Sequence, residues 1–210
     1  TVTWLQFNAR LLRLTGEARF AEQLEHVVLN QLLGAQRADG CAWGYYVQME
    51  GRKPYSDTLD GHCCLSSGPR GVSLIPTFAL TTDGDGVVVN LYDAGTGQLT
   101  LADGAPVRVA VETSYPAAET IRLAIDPVAA KLFSVKLRAP AWCSSVTLAV
   151  NGEVQEPRAG ADGYLELNRV WRPGDRVDLN LKLEARLILG DHKNQGKAAV
   201  MYGPLVLAAD

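Results

Sequence analysis

The chain has 210 residues, of which 47% are hydrophobic and 20% are charged, a composition typical of a folded globular domain. Its formal net charge of −3 provides no basic surface, which argues against nucleic acid and anionic membranes as partners. No apolar run approaches the roughly 20 residues that cross a bilayer, and the first residues lack the pattern of a signal peptide. The cysteine spacings do not form a disulfide framework, so we expect a soluble protein with free thiols, which favours the cytoplasm.

The first 36 residues predict two helices. Apolar residues recur every three or four positions in two groups: Trp4, Phe7, Leu11 and Leu14, then Ala21, Leu24, Val28 and Leu32. Gly16 stands where the first helix should end, because glycine tolerates the left-handed conformation of a helix C-cap. The pair is typical of an antiparallel helical hairpin, and the N-terminus is typical of a helix entered midway, as in a piece of a longer protein.

Residues 37–82 connect this hairpin to a different kind of sequence. The segment "CAWGYYVQME" (41–50) indicates a short extended stretch rich in aromatics, and residues 51–62 indicate a loop. The segment "GPRGVSLIPTFALTT" (68–82) predicts one more helix, with Pro76 as a kink or an early stop.

From Asp83 onward the chain predicts many short strands. In "PVRVAVETSY" and "ETIRLAID", apolar residues alternate with residues on the opposite face, and turn residues recur every eight to twelve positions. Asn151-Gly152 predicts a hairpin turn, because a type I′ turn needs positive φ at both central positions. The glycines of "DGDG" and "GTG" are interpreted as turn formers. The fold class is therefore α+β, with a helical part over 1–82 and an antiparallel β-sandwich over 83–210.

Two adjacent cysteines, Cys63 and Cys64, raise the first chemical question. A disulfide between neighbours would need a strained ring, so the pair packs as small hydrophobic residues, binds a metal or does chemistry. Cys41 and Cys143 are most simply buried thiols. The three aromatics at 43, 45 and 46 either line a ligand-binding cleft or belong to the core, whereas Trp142 and Trp171 are expected in the core. Charged residues beside the cysteines (Glu50, Asp57 and Asp60) are either acids of a site or solvated loop charges.

Five segments in one order give a second line of inference: "NARLLRLTGEARFAEQLEHVVLNQLLGAQRADG", "HCCLSSGPRGVSLI", "LRAPAWC", "VTLAVNG" and "YGPLVLA". Together they resemble the β-L-arabinofuranosidase family of glycoside hydrolases (family 127 and its close relatives). The resemblance implies an (α/α)6-barrel catalytic domain followed by β-sandwich domains. Residues 1–82 would then be the C-terminal part of the barrel, and the substrate a carbohydrate of the L-arabinofuranosyl type.

The resemblance also implies the site residues. Family members hold zinc through three cysteines and a glutamate, and the first cysteine of the adjacent pair is the nucleophile. By that carry-over Cys63 is nucleophile and zinc ligand, and Cys64 is a zinc ligand. The other two ligands, in a Glu-x-Cys motif, and the acid/base glutamate would precede Thr1. Tyr46 is the best match to the active-site tyrosine. Apart from the resemblance, His62 is interpreted either as orienting substrate or a ligand, or as a surface or hydrogen-bonding residue. The chain reads "CCLSSGPRG" where the commoner pattern is "CCPPN", which bears on sugar specificity.

The implied chemistry is physically coherent. The thiolate is the nucleophilic form of cysteine, and coordination to zinc removes the proton. Zinc accepts thiolates in a tetrahedral site, so three sulfurs and one carboxylate would complete it. Both neighbouring side chains are expected to reach one ion from a turn or irregular segment, since neighbours in a strand point to opposite faces. Two ligands alone cannot form the tetrahedron, so this chain by itself should be inactive.

Two alternatives remain open. In the first, the strands form a non-catalytic carbohydrate-binding or interaction module. This alternative predicts that residues 83–210 alone bind arabinose-bearing polysaccharides, and absence of binding would leave the strands as a scaffold. The hairpin's exposed apolar face would instead drive self-association, which light scattering would detect and a clean monomer would contradict.

Overall fold

The structure, a computed structural model, describes residues 1–47, 51–56, 63–84, 86–156 and 158–208. It has an α+β architecture in which helices dominate the first part of the chain and strands the remainder, as predicted. None of the helices in these ranges is long and apolar enough to span a membrane.

The predicted pair of N-terminal helices is confirmed. Helix α1 covers Val2–Thr15 and helix α2 covers Ala18–His26; α2 continues as a π-helical segment, Val27–Leu32, and a short helix α3, Leu33–Ala35. Gly16 adopts φ 69° and donates its amide to the Leu12 carbonyl at 2.8 Å, which closes the end of α1.

Helix α1 carries two apolar stripes, and the more conspicuous one faces outward. Trp4, Phe7 and Leu14 are 47%, 49% and 81% exposed, and the rings of Trp4 and Phe7 lie 5.6 Å apart. The buried residues of α1 are Val2, Leu5, Asn8 and Leu12. In the second helical run all four predicted positions are buried, namely Ala21, Leu24, Val28 and Leu32. The self-association predicted for an exposed helical face remains a prediction.

The segment around the cysteines differs from the prediction in its limits. Two short strands, β1 (Trp43–Gly44) and β2 (Tyr55–Ser56), pair antiparallel, so part of the predicted loop is extended. Helix α4 covers Cys64–Leu74 and therefore begins at the cysteine pair, four residues earlier than expected. Pro76 starts the short helix α5 (Pro76–Ala79), because a proline fits the first turn of a helix better than its interior. Residues Leu80–Thr82 form strand β3.

The strands of the remaining chain form two main sheets. Their limits are β4 Gly86–Val89, β5 Gly95–Thr100, β6 Pro106–Thr113, β7 Thr120–Pro127, β8 Lys131–Arg138, β9 Val146–Val150, β10 Glu153–Gln155, β11 Tyr164–Trp171 and β12 Asp175–Leu181. A six-stranded sheet has the order β10-β9-β12-β7-β6-β5, and a four-stranded sheet has the order β11-β8-β4-β3. The expectation of purely antiparallel pairing fails at one place, because β4 and β8 run parallel.

Turn predictions succeed at one position and fail at another. Asn151 and Gly152 have φ values of 53° and 84° and join β9 to β10 in register, as the hairpin prediction required. The glycines of "GTG" do not form a turn. They lie in β5 at the edge of the six-stranded sheet, where Gly97 leaves room for the Leu80 side chain, since a Cβ there would lie 2.7 Å from Leu80 Cδ1.

The two main sheets share one apolar core. Alternate residues of β6 and β7 point into it as predicted: Val107, Val109, Val111, Ile121, Leu123 and Ile125. Trp171 is fully buried there, and Trp142 packs half-buried against it, in agreement with their predicted core role. The core therefore takes one face from each sheet.

The C-terminal strands form a third sheet. Strands β13 (Ala185–Leu189), β14 (Ala198–Tyr202) and β15 (Leu205–Leu207) pair in the order β13-β14-β15. Asn30, in the π-helical segment, donates to the Pro204 carbonyl at 2.9 Å and accepts from the Val206 amide at 2.7 Å. The end of the chain is thus tied to the helices.

A buried ion pair joins the helices to the four-stranded sheet. Arg138, at the end of β8, is completely buried and donates to the carboxylate of Glu25 in α2, which is also buried. Burial alone would lower the pKa of Arg138, but the carboxylate of Glu25 raises it above its ordinary value. The Arg138 Nη1 atom finds no hydrogen-bond partner within the described ranges.

Several polar groups surround the Glu25–Arg138 ion pair. Tyr115 donates to Glu25 Oε1 at 2.8 Å, and Arg138 Nε donates to the Asn90 carbonyl at 2.7 Å. The Tyr92 hydroxyl donates to the Arg138 carbonyl at 2.5 Å, and the Tyr164 hydroxyl donates to Asn90 Oδ1 at 2.5 Å. The bonds from Tyr115 to Glu25 and from Arg138 Nε to Asn90 offset part of the desolvation that burying the two charges requires.

Removing one partner should therefore destabilise the protein strongly. We expect Glu25→Ala to lower the free energy of unfolding by about 3–5 kcal/mol, because Arg138 would remain as an uncompensated buried charge. Urea denaturation measures the change. Asp178→Ala, which removes the exposed partner of Arg122, is the matched control and should cost no more than about 1 kcal/mol. Equal effects of the two substitutions would contradict the role assigned to the ion pair.

The buried tyrosines predict a loss of stability at high pH. Burial raises the pKa values of Tyr92, Tyr115 and Tyr164. Their contribution is complete below the unfolded-state pKa of about 10 and is lost as pH rises above it, because only the unfolded chain then releases these protons. The free energy of unfolding should fall by about 1.4 kcal/mol per pH unit for each such tyrosine.

The test is urea denaturation between about pH 9 and 11.5. Tyr92→Phe should reduce the slope of the unfolding free energy against pH by the contribution of about one proton. Tyr55→Phe, at an exposed position, should leave this slope unchanged. A slope in Tyr92→Phe as steep as that of the unmodified protein would contradict the prediction.

Candidate active site

The cysteine pair lies at the start of helix α4. Cys63 is the N-cap residue with helical φ and ψ of −59° and −18°, and its carbonyl accepts from the amides of Ser66 at 3.2 Å and Ser67 at 2.9 Å. The pair therefore lies in a turn, as one of the two expected arrangements required, and this turn is the first of a helix.

The two thiols have different surroundings. Cys63 is exposed, whereas Cys64 is half-buried and packs against the apolar cluster of the helices. Burial, followed by the effect of the adjacent Cys63 thiol, raises the pKa of Cys64, because both disfavour the charged thiolate. The pair is thus neither deeply buried nor oxidised.

Both cysteines line a cavity of about 510 Å³. Its wall is formed by the beginning of α1, the end of the π-helical segment, the β1 strand with the residues after it, and the first two turns of α4. Polar and aromatic groups around the cysteines are Gln31, Tyr45, Tyr46, Ser67 and Arg70. A cavity of this size with a few converging polar groups is suited to a small ligand such as a sugar.

The aromatics divide between core and cavity. Trp43 is 4% exposed and belongs to the core of the helices, although part of it reaches the cavity wall. Tyr45 and Tyr46 are 50% and 62% exposed, with ring centroids 4.6 Å apart in an edge-to-face arrangement. Of the two roles left open for these aromatics, Trp43 has the core role, whereas the exposed tyrosines lie at the cavity, where a ligand could contact them.

Several predicted residues fall outside the described part of the chain. His62, expected to orient substrate, is among them, and so are the neighbouring acids Glu50, Asp57 and Asp60.

The two remaining cysteines lie away from the cavity. Cys41 is exposed, so its prediction as a buried thiol is wrong; it stands in a tight turn where its amide donates to Asp39 Oδ1 at 3.0 Å. Cys143 is half-buried, and burial raises its pKa.

The side chains that line the cavity include two possible metal ligands. Among the residues that the structure describes, no group of three or more His, Cys, Asp or Glu side chains is close enough to hold an ion. Cys63 and Cys64 are both free thiols on one cavity wall, and soft thiolates are ligands that zinc prefers. They fit as two donors of a tetrahedral site, whose other donors would lie outside the described residues.

Gln31 and Arg70 also line the cavity, although sequence reasoning did not single them out. Arg70 lies two helical turns after the cysteines and donates to Ser67 Oγ at 3.3 Å, which directs its guanidinium toward the start of α4. Gln31 lies in the π-helical segment, a type of helix that often occurs at functional sites. A π-helix leaves no reliable mark in a single sequence, so no signal was available for it.

Comparisons with known proteins agree on one family. A model of the β-L-arabinofuranosidase GH127 catalytic domain matches residues 1–77, and a model of the GH127 middle domain matches residues 86–183. No curated protein matches the sequence.

Solved structures give the same result. A GH127 β-L-arabinofuranosidase from Geobacillus stearothermophilus T6 is 26% identical with a TM-score of 0.89, over 98% of this chain and 35% of its own. A GH127 β-arabinofuranosidase is 28% identical with a TM-score of 0.88, and the match covers 97% of this chain and 35% of that protein. A third protein, a glycoside hydrolase, is 29% identical with a TM-score of 0.88, over 97% and 36%.

The chain thus spans about a third of the length of these structures. The two family models cover most of it, in the order in which the catalytic and middle domains follow one another. The chain therefore belongs to the GH127 family of β-L-arabinofuranosidases.

Proposed function

We propose that this chain is the nucleophile-bearing portion of a longer retaining glycoside hydrolase that removes L-arabinofuranosyl or related sugars. In this proposal its helices complete an (α/α)6 barrel and its two main sheets form a β-sandwich behind it. The observation that carries the proposal is the exposed thiol of Cys63 in a cavity that also contains two exposed tyrosines. The match of the GH127 catalytic-domain model to residues 1–77 supports it.

Cys63 would act as the nucleophile. Its thiolate attacks the anomeric carbon, a carbon–sulfur bond forms, and the glycosidic carbon–oxygen bond breaks. The departing oxygen takes a proton from a carboxylic acid, which the family resemblance places upstream of Thr1. Water then attacks the same carbon, gives its proton to that carboxylate and releases the Cys63 thiolate, so that two inversions retain the configuration.

The neighbouring residues would prepare Cys63 for this step. Cys63 and Cys64 would hold a zinc ion, and when bound the ion supplies positive charge that keeps both sulfurs deprotonated. Burial and the neighbouring Cys63 thiol raise the pKa of Cys64, and the charge of such an ion would offset this rise. Tyr46, exposed at the cavity wall, would contact the sugar, and His62 is proposed to orient it. By itself this chain would be inactive, since the remaining zinc ligands and the acid/base are expected upstream.

The test uses the longer protein of which this chain would be part. We expect Cys63→Ala to reduce kcat by at least about a thousandfold, because no other group would replace the nucleophile. Cys64→Ala should lower the bound zinc, measured by elemental analysis, together with kcat. Cys41→Ala is the matched control, since Cys41 is exposed and lies outside the cavity, and it should change neither quantity. Full activity and unchanged zinc in Cys63→Ala would overturn the mechanism.

A further inference from the structure

An unusually close contact lies directly behind the cysteine pair. Gly68, in helix α4, is buried against the indole of Trp43. A Cβ atom at Gly68 would lie 2.4 Å from Trp43 Cδ2, 2.5 Å from Cε3 and 2.6 Å from Cε2. Non-bonded carbons normally approach to about 3.5–4.0 Å, so a side chain here would force α4 and the ring apart by at least about 1 Å.

Helix α4 lacks one backbone hydrogen bond between its first turn and the turn that follows. Pro69 follows Gly68 inside α4 and lacks the N–H that would donate to the Leu65 carbonyl. Glycine is also the least favourable residue for a helix interior after proline. The position of the turn that carries the cysteines therefore depends on packing against neighbours as well as on the backbone of α4.

Trp43 is well suited to be that neighbour. It is almost fully buried, it belongs to strand β1, and the same apolar cluster contains Cys64 and Leu65 of α4. The residues that follow it, from Gly44 to Val47, form the aromatic wall of the cavity. One side chain thus touches α4 behind the cysteines and anchors the segment that carries the tyrosines.

We propose that Gly68 is a positioning residue: by lacking a side chain it lets α4 dock on Trp43, which sets the position of Cys63 and Cys64 relative to Tyr45 and Tyr46. The docking of α4 on Trp43 does not depend on catalysis, whereas the effect of this docking on kcat rests on the proposed function.

Gly71 provides a matched control on the same helix. A Cβ there would lie 2.8 Å from Leu32 Cδ1 and 3.1 Å from Val2 Cγ2, which are ends of side chains that can move aside. Gly71→Ala therefore tests glycine replacement in α4 without displacing the helix from a rigid ring.

The first experiment measures alkylation of each cysteine of this chain by iodoacetamide, followed by peptide mass spectrometry. In the unmodified chain the exposed Cys41 should react faster than the half-buried Cys64. Gly68→Ala should raise the rate at Cys64 at least about threefold, because the displaced helix uncovers it, and should leave Cys41 unchanged. Gly71→Ala should leave both rates unchanged. An unchanged Cys64 rate in folded Gly68→Ala would overturn the inference.

Removing the Trp43 ring should reduce the effect of Gly68→Ala on the Cys64 rate. Trp43→Leu eliminates the three ring atoms that a residue-68 Cβ would meet, so the Gly68→Ala/Trp43→Leu double variant should show a Cys64 rate below that of Gly68→Ala. Additive effects of the two substitutions would contradict a direct contact. If Gly68→Ala does not fold, Trp43→Leu alone decides, since loss of the docking surface should by itself raise the Cys64 rate, and an unchanged rate would refute the proposal.

The second experiment measures kinetics in the longer enzyme. A displacement of about 1 Å at a nucleophile lowers kcat by about a hundredfold, so Gly68→Ala should show that loss with little change in KM, and Gly71→Ala should show neither. Should Cys63→Ala remain active while Gly68→Ala still uncovers Cys64, the proposed function fails and the positioning role stands. Should Gly68→Ala keep full kcat while Cys63→Ala is inactive, the positioning role fails and the proposed function stands.

Discussion

The buried ion pair between Glu25 and Arg138 is the interaction on which the arrangement of the molecule depends. It joins residues 113 positions apart, one on helix α2 and one at the end of strand β8. Burying two charges in an apolar interior is costly unless hydrogen bonds satisfy them. The Tyr115 hydroxyl and the Asn90 carbonyl supply such bonds here, and among the described residues Arg138 Nη1 is the one buried side-chain atom of the pair that lacks such a bond. The geometry these groups require fixes how the helices lie on the sheets.

Helix α2, which this ion pair holds in place, also leads into the wall of the cavity. The chain of α2 continues without interruption into the π-helical segment, where Gln31 and Leu32 become part of the cavity wall and Asn30 holds the C-terminal sheet. On the opposite side, Trp43 positions both the aromatic wall and the first turn of α4. The cysteine pair therefore stands between elements that are each anchored to a core, which suits a site whose groups must keep their geometry.

Much of the fold follows from periodicity, because burial on one face of a helix or strand leaves a regular pattern. The alternation in β6 and β7 and the positive φ values at Asn151-Gly152 were predictable for that reason. Glu25 and Arg138 were not, since each is an ordinary surface residue type and their pairing depends on the tertiary structure. The glycines of β5 were misjudged as a turn because an edge strand tolerates glycine where an interior strand does not.

The candidate site was predictable mainly through resemblance. Spacing alone left the cysteine pair between packing, metal binding and chemistry, and Cys41 proved exposed although a buried thiol was expected. The contact between Gly68 and Trp43 could not be read from the sequence, because periodicity indicates which residues of a helix face the core but not which side chain each of them meets. Its significance depends on which side chain lies opposite.

The most direct measurement of the central claim is the site of covalent attachment during turnover. The longer enzyme would be mixed with a slowly hydrolysed arabinofuranoside, quenched in acid and digested, and its peptides analysed by mass spectrometry. The account predicts a sugar attached through sulfur to Cys63. A sugar attached to a carboxylate, or complete turnover with no attached sugar under conditions that trap the intermediate, would contradict it.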